Sequence, residues 1–377
     1  MTKVLHLISS MNIGGAETMV KDYALLLDKK QFDIMIISLD KCYHSANEKI
    51  LEQGGIPVIH LSEMRYSADC KMNFLRKIKR SIGRYIDLRN IVKEYKPDII
   101  HAHLFLGNYL RWIPLKKWEI RLYYTVHNEP SFYYDASGKN REKYKAYQEI
   151  CRLLKKEDAT LIALHDNMKD ELRQLFHTER VITVNNGINM SRFKRELYNK
   201  DEKKQQLGIA LNTFVVGHVG RFHEQKNHDL IIDVFKEVVR QRDAHLLLIG
   251  DGPLRPHIED KIRKLGLDKQ VTILQNRADI PELLNVMDVF LFPSLWEGFG
   301  NVLIEAQSMG LPCVVSDRVA SCVKINDNIR TLALEAPIEE WVEAVENVKA
   351  GEVSSKLSDY EMKNSVLRLQ QIYEGVI

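Results

Sequence analysis

Residues 292–312 read FPSLWEGFGNVLIEAQSMGLP, and this stretch says most about the fold. The apolar run at 289–292 that leads into it is typical of a buried parallel strand. A glycine-rich turn follows, and then a helical pattern at 302–309 that stops at Gly310-Leu311-Pro312. Strand, glycine-rich turn and helix together direct backbone N–H groups and a helix N-terminus towards one point, which favours a phosphate there.

Two carboxylates accompany this turn. Glu297 precedes Gly298, Phe299 and Gly300, and Glu305 follows eight residues after Glu297, within the helical pattern. Carboxylates on either side of a bound phosphate can accept hydrogen bonds from sugar hydroxyls, so the pattern predicts a sugar-nucleotide site. A surface helix with two solvated glutamates is the plain alternative, but the glycine turn and the Gly-Leu-Pro stop favour the site.

The segment resembles the E-x7-E signature of retaining nucleotide-sugar glycosyltransferases of family 4, which serve bacterial polysaccharide assembly. The resemblance implies an α/β protein of the GT-B fold, with two doubly wound Rossmann-like domains facing each other across a donor cleft. It also implies that Glu297 holds hydroxyls of the donor sugar and that Glu305 holds the ribose. The turn residues Gly298, Phe299 and Gly300 would then line the donor site.

Length and composition agree with an ordinary two-domain protein. The chain has 377 residues, of which 45% are hydrophobic and 28% charged. Its five cysteines show no C-x-x-C spacing, so they indicate reduced thiols and no disulfide or zinc framework. No apolar run reaches the ~18–20 residues that span a bilayer. Because a strand pattern begins at Lys3, we expect no signal peptide and a cytoplasmic location, with any membrane contact at the surface.

Apolar runs alternate with amphipathic stretches along the whole chain, which predicts parallel sheets covered by helices. Strands are predicted at 4–9, 34–39, 58–61, 99–103, 122–127, 160–165, 181–185, 214–219, 246–249, 271–274, 289–292, 313–316 and 331–334. The predicted domains are an N-terminal acceptor-side domain at 1–188, a polar linker at 189–212 and a C-terminal nucleotide-sugar-binding domain at 213–355. The resemblance implies that a final helix, 356–377, crosses back to the first domain.

Basic residues after a strand form the second motif. Arg221 and Lys226 stand in VGRFHEQKN, between the strand at 214–219 and a helix at 230–239. A guanidinium fork and an ammonium at that position can neutralise a leaving diphosphate. The motif resembles the family's G-R-x4-K element, which implies the same role. The sequence contains no Asp-x-Asp pair, the usual holder of a catalytic Mg²⁺ or Mn²⁺, so we expect metal-independent transfer and no cofactor.

Three further loops follow predicted strands. Gly14 and Gly15 resemble the family's Gly-Gly-Ala-Glu turn, where N–H groups meet the donor diphosphate and the acceptor; an ordinary tight turn is the alternative. Gly250 lies in a Gly-Asp-Gly-Pro loop that resembles the family's donor-site loop. Asn276 and Arg277 stand where relatives place the backbone that contacts the base.

A histidine at the end of the strand at 122–127 completes the predicted site. His127 resembles the family histidine that reaches the donor sugar from across the cleft, although a hydrogen-bonded core histidine is the plain alternative. His101 and His103 resemble a family element whose role is more often structural. No carboxylate or thiol accompanies them at ligand spacing, so we predict no metal site there.

Positive charge is concentrated in the first half of the chain. Residues 65–96 contain ten Lys and Arg against three Asp and Glu, with apolar residues at 74, 78, 82 and 86. Residues 111–118, RWIPLKKW, add aromatic side chains typical of membrane interfaces. The segment is either a surface that contacts an anionic membrane or a surface helix whose apolar stripe packs on the sheet. Nucleic-acid binding is disfavoured because no recognised module accompanies the charge.

These features together predict a retaining glycosyltransferase that moves a hexose-type sugar from a nucleoside diphosphate donor, UDP in the first instance. The predicted acceptor is a glycan or a lipid-linked oligosaccharide in exopolysaccharide or capsule assembly. Two alternatives remain: a catalytically silent scaffold of the same fold that partners another transferase, and a sugar-nucleotide 2-epimerase. A nicotinamide dehydrogenase is disfavoured because the chain lacks the G-x-G-x-x-G turn.

Overall fold

The computed structural model describes residues 1–12, 14–63, 74–104, 107–128, 130, 133 and 141–377, with only the backbone at 74–81, 107 and 141–143. The chain divides into two compact units. Unit 1 is Met1–Asn186 with Lys363–Ile377, and unit 2 is Gly187–Met362. Each unit is a parallel sheet with helices, so the predicted α/β class with two Rossmann-like domains is confirmed.

In unit 1 the described residues form a seven-stranded sheet in the order β3-β2-β1-β4-β5-β6-β7. Its strands are β1 Thr2–Ile8, β2 Phe32–Ser38, β3 Val58–His60, β4 Ile99–His103, β5 Arg121–Thr125, β6 Thr160–Ala163 and β7 Val181–Thr183. The helices are α1 Gly15–Leu26, α2 Ala46–Gln53, α3 Phe74–Tyr95, α4 Gly107–Leu110, α5 Arg141–Glu157 and α6 Asp166–Phe176. Every strand pair is parallel, as in β1 with β4, where Val4 is opposite Ile99.

Unit 2 repeats this plan with a six-stranded parallel sheet in the order β10-β9-β8-β11-β12-β13. Its strands are β8 Phe214–Val219, β9 Ala244–Ile249, β10 Val271–Leu274, β11 Val289–Phe292, β12 Cys313–Ser316 and β13 Ile329–Leu332. The helices are α7 Lys200–Gln206, α8 His228–Gln241, α9 Arg255–Lys264, α10 Ile280–Val286, α11 Asn301–Ser308 and α12 Ile338–Asn347. Because β11 is buried on both faces, all four of its residues are apolar.

Residues 189–212, predicted to form a linker, belong instead to unit 2 and contain α7. The polar composition of this segment reflects ion pairing. Lys203 Nζ lies 2.6 Å from Asp279 Oδ2 and 2.6 Å from Glu282 Oε2, which fastens α7 to α10. The polar residues of this segment belong to a helix that ion pairs hold in place. Local polarity in a sequence does not distinguish such a helix from a linker.

The last helix, α13 Met362–Glu374, packs on the sheet of unit 1. Tyr373 is fully buried, its hydroxyl lies 2.5 Å from His101 Nδ1, and its carbonyl accepts a hydrogen bond of 2.7 Å from the Arg121 guanidinium. These contacts place Tyr373 in the core of unit 1. Among the described helices, none combines the length and apolarity that crossing a bilayer requires.

Candidate functional site

The order of the strands marks one position in each sheet. The direction of winding reverses between β1 and β4 in unit 1 and between β8 and β11 in unit 2. Ligands of open α/β sheets bind outside the carboxyl ends of the strands at such reversals. The loops after β8 and β11 contain Lys226 and Glu297, so two predicted residues flank the reversal in unit 2.

Lys226 and Glu297 form a buried ion pair. A short 3-10 turn, Glu224–Lys226, places the lysine so that its Nζ lies 2.6 Å from Glu297 Oε1. The side chains are 13% and 5% exposed, and the ammonium lies 4.8 Å from the centre of the Phe292 ring. The sequence assigned these residues to the diphosphate and the sugar separately, and the structure brings them into direct contact.

Hydrogen bonds between the two loops hold this pair in place. The Leu295 N–H donates to the Gln225 carbonyl over 2.8 Å, and the Gln225 side-chain amide donates to the Trp296 carbonyl over 2.9 Å. Gln225 directly precedes Lys226, and Trp296 directly precedes Glu297. Each of these two neighbours is therefore held by a hydrogen bond from the other loop. The position of Lys226 and Glu297 is therefore set by the backbone as well as by their own attraction.

Glycines bring the backbone close together beside the pair. A Cβ on Gly220 would lie 2.9 Å from His218 Nε2 and 3.1 Å from Lys226 Cδ. Gly250 has φ +151°, and a Cβ there would lie 2.0 Å from the Gly220 carbonyl oxygen. Gly220 was not among the predicted site residues. Its position directly before Arg221 was the feature of the sequence that could have identified it. The loop after β9 can pack on the loop after β8 only because Gly250 lacks a side chain, and the missing side chain of Gly220 lets Lys226 lie against the backbone of its own loop.

The turn before α11 is ordered by Gly300 and Phe299. Gly300 caps the helix with φ 76°, a left-handed conformation that a side chain disfavours. Phe299 is buried, and its ring centre lies 5.5 Å from that of Tyr360. Phe299, predicted to line the donor site, therefore anchors the turn, and it has only its backbone to offer a ligand. Glu305 is partly buried on α11.

The other two predicted cations differ in their surroundings. Arg221 is exposed, and its side chain forms no ion pair with any residue that the structure describes. Arg277 Nε donates to Asp279 Oδ1 over 2.7 Å, and its guanidinium binds both oxygens of that carboxylate. Together with Lys203, Arg277 holds the pKa of the Asp279 carboxyl well below its usual range. Arg221 is thus available to an anion, whereas Arg277 is engaged, which leaves the exposed Asn276 beside it for a ligand.

Unit 1 contains a cluster of imidazoles at its own strand reversal. His6 Nδ1 lies 3.2 Å from His103 Nε2, and His103 Nδ1 lies 3.3 Å from His127 Nε2. His6 and His103 are fully buried, and His127, at the end of β5, is partly exposed. Of these three histidines, the sequence predicted a functional role for His127 alone. His6, His103 and His127 come from β1, β4 and the segment after β5, so their contact follows from the order of the strands in the sheet.

The remaining histidine of this cluster has a structural environment. His101 Nδ1 lies 2.5 Å from the Tyr373 hydroxyl, and its Nε2 lies 2.7 Å from Thr125 Oγ1. Both ring nitrogens are therefore occupied by hydroxyl groups, which join α13 to the sheet.

The turn after β1 also approaches a charged group. The Glu17 carboxylate lies over Gly14, since a Cβ on Gly14 would be 2.3 Å from Glu17 Oε2. Ser10 Oγ donates to Glu17 Oε1 over 3.1 Å. Gly15 begins α1, so the glycine pair stands at the start of that helix. The Glu17 carboxylate beside Gly14 would repel an anion that binds there.

Two groups of three side chains hold possible metal-ligating atoms within 4.8 Å of one another: His6 with His101 and His103, and Cys42 with Glu48 and His60. Both groups lie in unit 1. In the first, His101 uses both nitrogens for hydroxyl groups. The described residues of unit 2 hold no such group beside Lys226 and Glu297.

Comparison with known proteins identifies the relatives of the chain. Residues 13–192 match the model described as Glycosyltransferase Family 4, and residues 199–364 match Glycosyl transferases group 1. The putative glycosyltransferase EpsF of Bacillus subtilis is 33% identical over 92% of this chain and 88% of its own length. The UDP-Gal:alpha-D-GlcNAc-diphosphoundecaprenol alpha-1,3-galactosyltransferase of Escherichia coli is 27% identical over 84% of this chain and 79% of its own. The crystal structure of Anabaena HepE in complex with UDP and glucose has a TM-score of 0.78 at 20% identity and covers both chains fully.

Proposed function

The chain belongs to glycosyltransferase family 4, and we propose that it transfers a hexose-type sugar from UDP with retention of the anomeric configuration. The proposed acceptor is a glycan or lipid-linked oligosaccharide in cell-surface polysaccharide biosynthesis. The observation that best supports a donor site is the buried pair of Lys226 and Glu297 at the strand reversal of unit 2. The name of the Escherichia coli relative includes a UDP-sugar donor and a diphosphoundecaprenol-linked acceptor. This supports a UDP-sugar and a lipid-linked glycan as the proposed substrates of the present chain.

Charges on the loop after β8 would assist departure of the diphosphate. Arg221 is exposed and Lys226 is held in place, so both can stabilise negative charge that grows on the leaving oxygen. An ammonium has three N–H groups, and Lys226 can therefore bind a phosphate while it stays bound to Glu297. Oε2 of Glu297 forms no hydrogen bond with the described residues, so it can accept one from a sugar hydroxyl.

We propose that this chemistry needs no metal ion. The sequence contains no Asp-x-Asp pair, and two cations, Arg221 and Lys226, follow the strand at which the diphosphate is proposed to bind. Cationic side chains of this kind supply the charge neutralisation that Mg²⁺ supplies in other transferases. The nucleotide sugar is then a substrate, and no cofactor is required.

Binding of UDP in the presence of EDTA tests the donor site. At 100 times the dissociation constant, UDP should raise the free energy of unfolding by about 2.7 kcal/mol, which a thermal-shift assay detects. Arg221→Ala should lose most of this shift, whereas the control Arg240→Ala, an exposed arginine on α8, should keep it. A folded sample that responds to no nucleoside diphosphate would favour the silent scaffold, and a shift that appears only with Mg²⁺ would contradict metal independence.

The stereochemistry of the product tests the reaction type. Proton NMR of the transfer product from an α-linked UDP-sugar should show an α linkage to the acceptor. A β linkage would contradict retention. Incubation of the donor alone separates the epimerase alternative, since an epimerase would change the sugar at C2 without any acceptor.

A second proposal concerns an exposed apolar patch of unit 1. Ile82 and Ile86, one turn apart on α3, are 52% and 45% exposed, and Trp112 is 58% exposed. Tyr85 lies between the two isoleucines in the sequence of α3; its ring stacks on Tyr109 at 4.8 Å and meets Trp112 edge-on at 6.4 Å. We call these five residues the Trp112 patch.

The Trp112 patch fits peripheral contact with an anionic membrane on the cytoplasmic face. The helix buries a different set of residues, which includes Leu88 and Val92, so Ile82 and Ile86 are not needed for packing on the sheet. Phe74 and Ile78, the first half of the predicted apolar stripe, have side chains outside the described residues. The exposed basic side chains near the patch in sequence are Arg89, Arg111, Lys116 and Lys117. Exposed apolar side chains accompanied by basic residues favour an interface rich in anionic lipid.

Sedimentation with lipid vesicles tests this surface. The protein should bind phosphatidylglycerol vesicles at low salt and bind pure phosphatidylcholine vesicles weakly. Ile86→Asn with Trp112→Ala should weaken binding at least about tenfold, because each large apolar side chain contributes roughly 1.5–3 kcal/mol on burial. The control Leu367→Asn changes an exposed apolar residue on α13 and should bind like the wild type. Equal binding by the patch variant and the control would exclude the patch.

A further inference from the structure

The histidine chain of unit 1 raises the question of where its protons lie. Burial lowers the pKa of His6 to about 3 and that of His127 to about 4, and it lowers the pKa of His103 well below its usual value. All three rings are therefore neutral at pH 7. A neutral imidazole has one N–H donor and one acceptor nitrogen, so each of the two contacts in the chain needs one proton of defined position.

Only two arrangements satisfy both contacts. In the first, His103 carries its proton on Nε2 and donates to His6 Nδ1, and His127 donates from Nε2 to His103 Nδ1. In the second, the direction is reversed: His6 donates from Nδ1 to His103 Nε2, and His103 donates from Nδ1 to His127 Nε2. The two arrangements leave His127 with opposite tautomers, so the interior of the unit determines what His127 shows to a ligand.

His6 decides between them. Its Nε2 is buried without a hydrogen-bond partner among the described residues. In the first arrangement that atom is an N–H, and in the second it is a bare acceptor. An orphaned buried N–H is the rarer and costlier condition, because a donor has a single proton to satisfy and loses all of its hydration. The second arrangement is therefore the more stable one.

We propose that His6 and His103 fix the tautomer of His127, so that its Nδ1–H is presented to the ligand as a hydrogen-bond donor. His103 is then a positioning residue that acts through His127. Nδ1 of His127 has no partner among the described residues, which leaves it available to an oxygen atom of a ligand. This inference rests on the proposed function for the identity of that ligand, and it makes His127 a neutral donor of a hydrogen bond and not a general base.

Nitrogen NMR of histidine measures the tautomer directly, without any assay of transfer. Protein labelled with ¹⁵N-histidine at pH 7 should show His127 with a protonated Nδ1 and an unprotonated Nε2, and the signals are assigned from their loss in His127→Asn. His103→Asn retains an amide N–H at the place of Nδ1 and should keep this tautomer. His103→Asp places an acceptor oxygen at that position instead of a donor, and His127 should then change to the Nε2–H form.

Transfer rates supply the second readout. His103→Asp should lower the rate about tenfold, as expected for one misdirected hydrogen bond, and His103→Asn should keep most of the wild-type rate. A wild-type His127 protonated on Nε2, or a tautomer unchanged in folded His103→Asp, would overturn the inference even if UDP binds as proposed. The expected tautomer in a protein that binds no nucleotide would support the inference and contradict only the proposed function.

Discussion

Lys226→Met should transfer sugar about a thousand-fold more slowly than the wild type, because one preorganised charge is lost from the departing diphosphate. The contact with Glu297 at 2.6 Å shows that this charge is already in place, so its contribution needs no reorganisation when the ligand binds. Steady-state kinetics with the best UDP-sugar measure the effect. A rate within about threefold of the wild type would show that Lys226 is only a structural partner of Glu297.

Folding must be separated from catalysis in this variant. Lys226→Met leaves the carboxylate of Glu297 buried without its partner, which costs about 3–5 kcal/mol of stability. The double variant Lys226→Met with Glu297→Gln removes both charges and should recover most of this loss while it remains inactive. Lys236→Met, on the exposed side of α8, is the matched control and should change neither stability nor rate.

Gly250→Ala should lower the free energy of unfolding by about 3 kcal/mol, or roughly 10 °C in Tm. The new Cβ would lie 2.0 Å from the carbonyl oxygen of Gly220, and φ at this position is +151°. A backbone atom cannot move aside as a flexible side chain can, so the loop after β8 must shift. Because Arg221 follows Gly220 directly, affinity for UDP should fall together with stability.

Gly266→Ala separates the clash from the backbone strain. Gly266 also has a positive φ, +69°, but no atom lies within 4 Å of a Cβ placed there. The variant should lose about 1 kcal/mol, the usual cost of a left-handed alanine, and should bind UDP like the wild type. Equal losses of stability and affinity in the two variants would show that the approach of Gly250 to Gly220 has no special role. Thermal unfolding with and without UDP measures both quantities.

The sequence by itself determined the fold class and most of the strands. Strands β4, β8, β10, β11 and β12 have the predicted ends. For β11 the reason is burial on both faces, which makes the strand a continuous apolar run between polar loops. The sequence also indicated which loops hold the candidate site. Since ligands bind at the carboxyl ends of parallel strands, the chemically unusual residues after β8 and β11 stood out from local order alone.

Only the tertiary structure decided which of these residues meet. Lys226 and Glu297 are far apart in the chain, and they touch because β8 lies beside β11, a neighbour relation that no local period encodes. The same cause explains the chain from His6 to His127, and it explains why Arg277 is engaged by Asp279 while Arg221 is exposed. Periodicity in a sequence reports whether a side chain faces a core, because burial follows from the geometry of its own helix or strand. Which partner it finds there depends on the order of the strands, and that order is set by packing of the whole sheet.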